Sequence, residues 1–61
     1  MNIVEELNAR QIERSYGNRD IWLYRNGKLL RTFALNRDGA IANMNDFIRW
    51  LIKFDNGEFN A

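Results

Sequence analysis

Asp20-Ile-Trp-Leu-Tyr-Arg-Asn-Gly-Lys-Leu-Leu-Arg-Thr-Phe-Ala-Leu35 reads as a β-hairpin. Asn26-Gly27 at its centre suits a type I′ turn, which needs positive φ at both central residues. With a two-residue loop, Arg25 pairs with Lys28, Tyr24 with Leu29, Leu23 with Leu30, Trp22 with Arg31, Ile21 with Thr32 and Asp20 with Phe33. Opposite residues share a face, and successive pairs alternate. Regular pairing therefore predicts an aliphatic face of Ile21, Leu23, Leu30, Thr32 and Ala34. It predicts a second face of Trp22, Tyr24, Leu29, Arg31 and Phe33, with Leu35 beyond. Both faces are apolar, and 61 residues supply few elements to cover them. One face is expected to meet a second helix or a partner.

Downstream, Asn36-Arg-Asp-Gly39 reads as a turn, with Asp38 or Asn36 capping a helix from Ala40 to about Phe54. Ile41, Met44, Phe47, Ile48, Leu51 and Ile52 form its apolar stripe, and Trp50 and Phe54 sit at the stripe's edge. Asp55-Asn-Gly57 stops it, leaving Phe59 in a tail that either hangs free or tucks back onto Trp50. Upstream, Asn2-Ile-Val-Glu5 fits a capping box, and Glu6 and Arg10 form an i,i+4 pair in the favourable order. A helix starts at Ile3. Residues 10–16 admit two readings: the helix continues to Ser15 and stops at Gly17, or Gln11–Tyr16 is a first strand turned by Gly17-Asn18. The second gives a three-stranded meander and relieves the instability of a lone hairpin.

The fold expected is a single α+β domain over residues 1–61. An antiparallel sheet of two or three strands (hairpin about 20–35) is packed by a helix at about 40–54, with a short helix at the start. Such a domain buries only ~60% of its unfolded surface and is marginally stable. There is no Cys and no His, so neither disulfides nor thiolate chemistry contribute. Met1 reads as a natural start of a complete small protein. The lack of a secretory pattern points to the cytoplasm, and no apolar run approaches a membrane span.

Net charge is +1, unevenly spread. Residues 1–9 carry Glu5 and Glu6, for −2. Residues 10–37 carry seven bases (Arg10, Arg14, Arg19, Arg25, Lys28, Arg31, Arg37) against Glu13 and Asp20, for +5. Residues 38–61 carry two bases against four acids, for −2.

Enzymatic chemistry is not expected. No His activates Ser15 or Thr32, and no thiol is present. The adjacent pair Glu5-Glu6 cannot flank a cleft as glycosidase carboxylates do. No glycine-rich phosphate loop or metal-ligand spacing occurs, so no cofactor or metal is expected. Asp55-Asn-Gly-Glu58 lacks the alternating acids of a calcium loop and reads as a helix stop.

Trp22, Tyr24, Arg31 and Phe33 are the sharpest constellation, with Arg25 and Lys28 at the turn beside them. Aromatic rings and guanidinium groups on a sheet suit stacking on bases or a protein hot spot. Aromatics are also ordinary strand residues, and Trp22 over Arg31 would make a plain cross-strand cation–π pair. The series Arg14, Arg19, Arg25, Arg31 and Arg37 reads as a phosphate track, a contact for an acidic protein, or a solvated basic side.

The segment from Ser15 through Phe33, followed by a helix with Phe47 and Trp50-Leu51, resembles two groups of proteins. One is the arm-binding amino-terminal domains of phage and transposon tyrosine integrases, where a Trp strand, a Gly turn and a Phe strand are backed by a helix. That resemblance covers roughly residues 16–52 and implies DNA binding through the sheet. Here Asn36-Arg-Asp-Gly replaces the family's Thr-plus-acidic helix start, and no recombinase domain follows. The other is the small phage-encoded inhibitors of bacterial defence, including anti-CRISPR proteins. They are similar in size, in lacking Cys, and in joining a short sheet to a helix. That resemblance implies a viral protein that covers a host surface in the host cytoplasm.

The expected function is thus a small inhibitor or modulator that binds a host protein with an acidic surface and acts by steric occlusion. Trp22, Tyr24, Arg25, Lys28, Arg31 and Phe33 would make the contacts. A nucleic-acid-binding module using the basic aromatic hairpin is the alternative, and a homodimer is a third reading.

Overall fold

Two helices lie against one face of a three-stranded antiparallel meander. The computed structural model describes residues 1–59: α1 (Ile3–Ala9), β1 (Glu13–Tyr16), β2 (Asp20–Arg25), β3 (Lys28–Ala34) and α2 (Met44–Asp55). The strand order is β1-β2-β3. The hairpin turn is as expected, with Asn26 at φ 52° and Gly27 at φ 77°. Residues 13–16 take the strand reading.

The hairpin register departs from the regular one. Tyr24 pairs with Leu29 and Arg25 with Lys28, but Leu23 then pairs with Arg31, Trp22 with Thr32, Ile21 with Phe33 and Asp20 with Ala34. Leu30 is the extra residue of a β-bulge. A one-residue slip sends every later side chain to the opposite face. The expected faces are corrected accordingly. Phe33 joins Ile21 and Leu23 on the helix side, while Thr32 and Ala34 turn outward. The exchange has a clear driving force. It buries a phenyl ring, worth roughly 1.5–3 kcal/mol, and leaves the Thr32 hydroxyl in water.

The core consists of Leu7, Ile12, Ile21, Leu23, Phe33, Ile41, Phe47, Trp50 and Leu51. Phe33 meets Phe47 and Trp50 edge-on, with ring centroids 5.3 and 5.8 Å apart. Trp50 is fully inside the stripe. Phe59 folds back to stack on it, with centroids 5.8 Å apart and planes 20° apart.

The second helix starts later than expected. Asn43 caps it by accepting from the Asp46 amide. Ala40–Ala42 instead turn back along β3, with Leu35 bridged to Ile41 and the Ala42 amide donating to the Ala34 carbonyl. Ile41 is thereby buried from a loop. At the other end, Gly57 (φ 77°) closes a Schellman motif, with the Glu58 amide on the Lys53 carbonyl and the Gly57 amide on that of Phe54.

The first helix ends the same way without a glycine. The Ile12 amide donates to the Leu7 carbonyl and the Gln11 amide to that of Asn8, which places Gln11 at φ 59°. The motif brings Leu7 and Ile12 into contact with the core, as its hydrophobic closure requires. The left-handed conformation is costly for a residue with a Cβ. We expect Gln11→Gly to raise stability by about 0.5–1 kcal/mol, less than the full strain because glycine gains freedom in the unfolded chain. Urea titration of the two proteins measures the difference.

Arg10 fastens α1 to the end of α2. Its Nε and Nη2 each lie 2.7 Å from an Asp55 carboxylate oxygen, and its Nη1 lies 3.1 Å from Glu6 Oε1. The hydrogen bonds from Arg10 hold the Asp55 carboxyl below its ordinary pKa, against a smaller opposing effect of desolvation. A carboxylate lowered on folding stabilises the fold above its unfolded pKa, and that contribution disappears as pH falls through the folded value. Asp55→Asn should therefore lower Tm at pH 7, and the difference from wild type should vanish in acid, well below about pH 4.

Candidate docking face

The two sides of the sheet carry different chemistry. On the side away from the helices stand Glu13 and Ser15 from β1, Asp20, Trp22 and Tyr24 from β2, and Leu29, Thr32 and Ala34 from β3. Trp22 is 37% exposed and Leu29 44% exposed, while Tyr24 is half-buried. Among the described strand residues, two carboxylates lie on this side and no cation does.

The Trp22 indole has a carboxylate partner. Its Nε1 donates to Asp20 Oδ1 at 2.9 Å, two residues back on the same face. The β1–β2 connection makes room for this pair at Gly17. A Cβ there would sit 2.0 Å from Asp20 Oδ1 and 3.1 Å from Trp22 Nε1. Gly17 is needed here for space, since its φ is not in the left-handed region. Read from sequence, it is only a turn residue.

The residues expected to form one site are divided by the bulge. Trp22 and Tyr24 stay on the open face. Phe33 is 4% exposed and belongs to the core. Arg31 follows it to the helix side, where its guanidinium lies over the Phe33 ring at 4.4 Å and pairs with Asp46 on α2. The cross-strand Trp22–Arg31 pair therefore does not form. Arg25 and Lys28, opposite each other at the hairpin tip, also belong to the helix side, and Arg25 lies 5.4 Å from the Phe54 ring. The arginine series is likewise not one track. Arg19 and Arg37 flank the end of the sheet where the Leu35 amide donates to the Arg19 carbonyl. Arg25 is at the other end, and Arg31 is engaged with Asp46. Asp20 lies on the face of Trp22 and Tyr24, as its expected pairing with Phe33 implied, whereas Glu13 of β1 was not expected there. Alternation along β2 places Asp20 there, and the pairing of Glu13 with Tyr24 places Glu13.

Among the described residues, no helix is long and apolar enough to cross a membrane. None of their His, Cys, Asp or Glu side chains group in threes or more where they could hold a metal ion. No family model, curated protein or solved structure matches the chain.

Proposed function

We propose that this chain is a small protein-binding inhibitor or modulator that covers a partner's surface with the open face of its sheet. The carrying observation is an exposed tryptophan, hydrogen-bonded to Asp20 and set among Tyr24, Leu29 and the small residues Ser15, Thr32 and Ala34, with no cation among the described residues of that face. An aromatic anchor ringed by small and apolar residues, with the carboxylates Glu13 and Asp20 beside it, has the composition of a protein hot spot. A nucleic acid laid on this face would bring its phosphates toward Glu13 and Asp20, with no counter-charge to receive them. Arg25 and Lys28 at the tip belong to the helix side, so an acidic area of the partner would meet them only by reaching around the end of the hairpin.

The chain's size, its Cys-free composition and its lack of a nucleophile–base pairing support action by steric occlusion, without catalysis. A phage-encoded inhibitor of bacterial defence, working in the host cytoplasm, is the setting we propose for it. The test is capture from a bacterial lysate with and without nuclease, using wild type and Trp22→Ala. We expect one protein bound in fixed ratio, unaffected by nuclease, with affinity reduced about 30-fold by the substitution. Binding that depends on nucleic acid and falls steeply with salt would contradict the proposal, as would capture indifferent to Trp22.

A further inference from the structure

We propose that the free edge of β1 pairs with β1 of a second copy, antiparallel about a two-fold axis at Ser15, joining two sheets into one of six strands. The proposal is independent of what binds the open face. The outer edge of β3 is partly closed by Leu35, Ile41 and Ala42. Among the described residues no strand lies beside the outer edge of β1, and all four of its residues are exposed.

Backbone parity fixes what that edge offers. The Gly17 amide donates to the Asp20 carbonyl, in the same register as the β1–β2 pairs. Bonded pairs alternate along an antiparallel ladder, so Ser15 and Glu13 bond inward to Trp22 and Tyr24. The N–H and C=O groups of Arg14 and Tyr16 therefore point outward. The edge ends there on one side, because the Ile12 amide is taken by the Leu7 carbonyl.

One register uses all of these groups. Centring on Ser15 sets Arg14 opposite Tyr16 of the second copy, twice, for four backbone hydrogen bonds. Centring on Arg14 opposes two arginines and asks for the occupied Ile12 amide. Centring on Tyr16 leaves Arg14 facing the turn at Asn18. The side chains favour the same choice. Arg14 and Tyr16 lie on the helix side, opposite Leu23 and Ile21. Each guanidinium would then meet a tyrosine ring, a favourable cation–π contact. Ser15 would face Ser15 across the axis, Glu13 would face Gly17, and no like charges would be opposed. Tyr16 is 56% exposed in the single chain, beside a groove lined by Asn8, Gln11, Ile12, Glu13, Arg14 and Tyr16 that would receive the ring of the other copy. The axis runs perpendicular to the sheet, so both Trp22 side chains would stand on one side of the dimer.

Four-residue edges bury little area, so the dimer is expected to be weak. Sedimentation velocity on the 61-residue chain, from roughly 10 µM to about 1 mM, reads it out. Hydrogen exchange at the Arg14 and Tyr16 amides is followed over the same range. We expect a monomer–dimer equilibrium, with exchange at those two amides slowing as concentration rises. Tyr16→Arg places four guanidinium groups together and should weaken association about tenfold or more. A synthetic chain N-methylated at Tyr16 loses an outward donor only and should do the same, with an unchanged far-UV spectrum. A monomer throughout, or a dimer indifferent to both changes, would overturn the proposal.

Discussion

Phe33→Ala is expected to destabilise the protein by about 3–5 kcal/mol, enough to leave a domain of this size largely unfolded. The ring is the hub of the aromatic core, touching Phe47 and Trp50 edge-on and carrying the Arg31 guanidinium on its face. Its removal leaves a cavity between sheet and helix and strips one wall from the Arg31–Asp46 pair. Trp22→Ala should cost less, about 1–2 kcal/mol, because the indole lies outside the core, more than a third exposed, and its one side-chain hydrogen bond faces solvent. The contrast is the diagnostic. In a regular hairpin Trp22 and Phe33 would share a face, and the two truncations would have similar effects. Urea titrations of both variants against wild type give the comparison.

Leu7→Ala is expected to cost about 2–5 kcal/mol. Seven residues are far too few for α1 to hold together alone, since isolated helices shorter than about 12–15 residues are marginal in water. Its attachment rests on Leu7, fully buried, on Ile12 in the closing Schellman turn, and on the Arg10–Asp55 pair. Leu7 is shared by the first two of these, because its carbonyl also accepts the Ile12 amide. Truncation should release the helix and the entry to β1 together. Hydrogen exchange would then show α1 amides losing protection before those of β2 and β3. Loss of the Arg10–Asp55 pair alone should leave that order unchanged.

The hairpin turn was legible because Asn26-Gly27 suits one turn type, and α2 because its apolar stripe repeats at helical spacing. The bulge was not. Leu30 carries no glycine and no polarity to mark an extra residue, and the regular register is also apolar on both faces. What decides is a comparison between whole faces, a phenyl ring against a threonine hydroxyl in the core, and that requires knowing where α2 sits. The start of α2 was readable and misassigned: Asn43-Met-Asn-Asp46 is an N-cap signal, but Ile41 fits the stripe well enough to pull the expected boundary forward. Ile41 does reach the core, from a strand bridge. The left-handed Gln11 had no signal, because glycine is the residue that normally announces such a position. The candidate site was legible to the extent that it depends on Trp22 and Tyr24. The bulge moved Arg31 and Phe33 away, while alternation along β2 and the pairing of β1 with it set Asp20 and Glu13 on the face of the indole.

The division of the sheet into one sealed and one open face is tested most directly by a proton NOESY spectrum of the chain. We expect strong cross-peaks from the Phe33 ring to Phe47 and Trp50, and none from the Trp22 indole to either helix. Cross-peaks joining the Trp22 indole to α2, with Phe33 free of it, would show that the strands pair in the regular register and that the faces are the other way round.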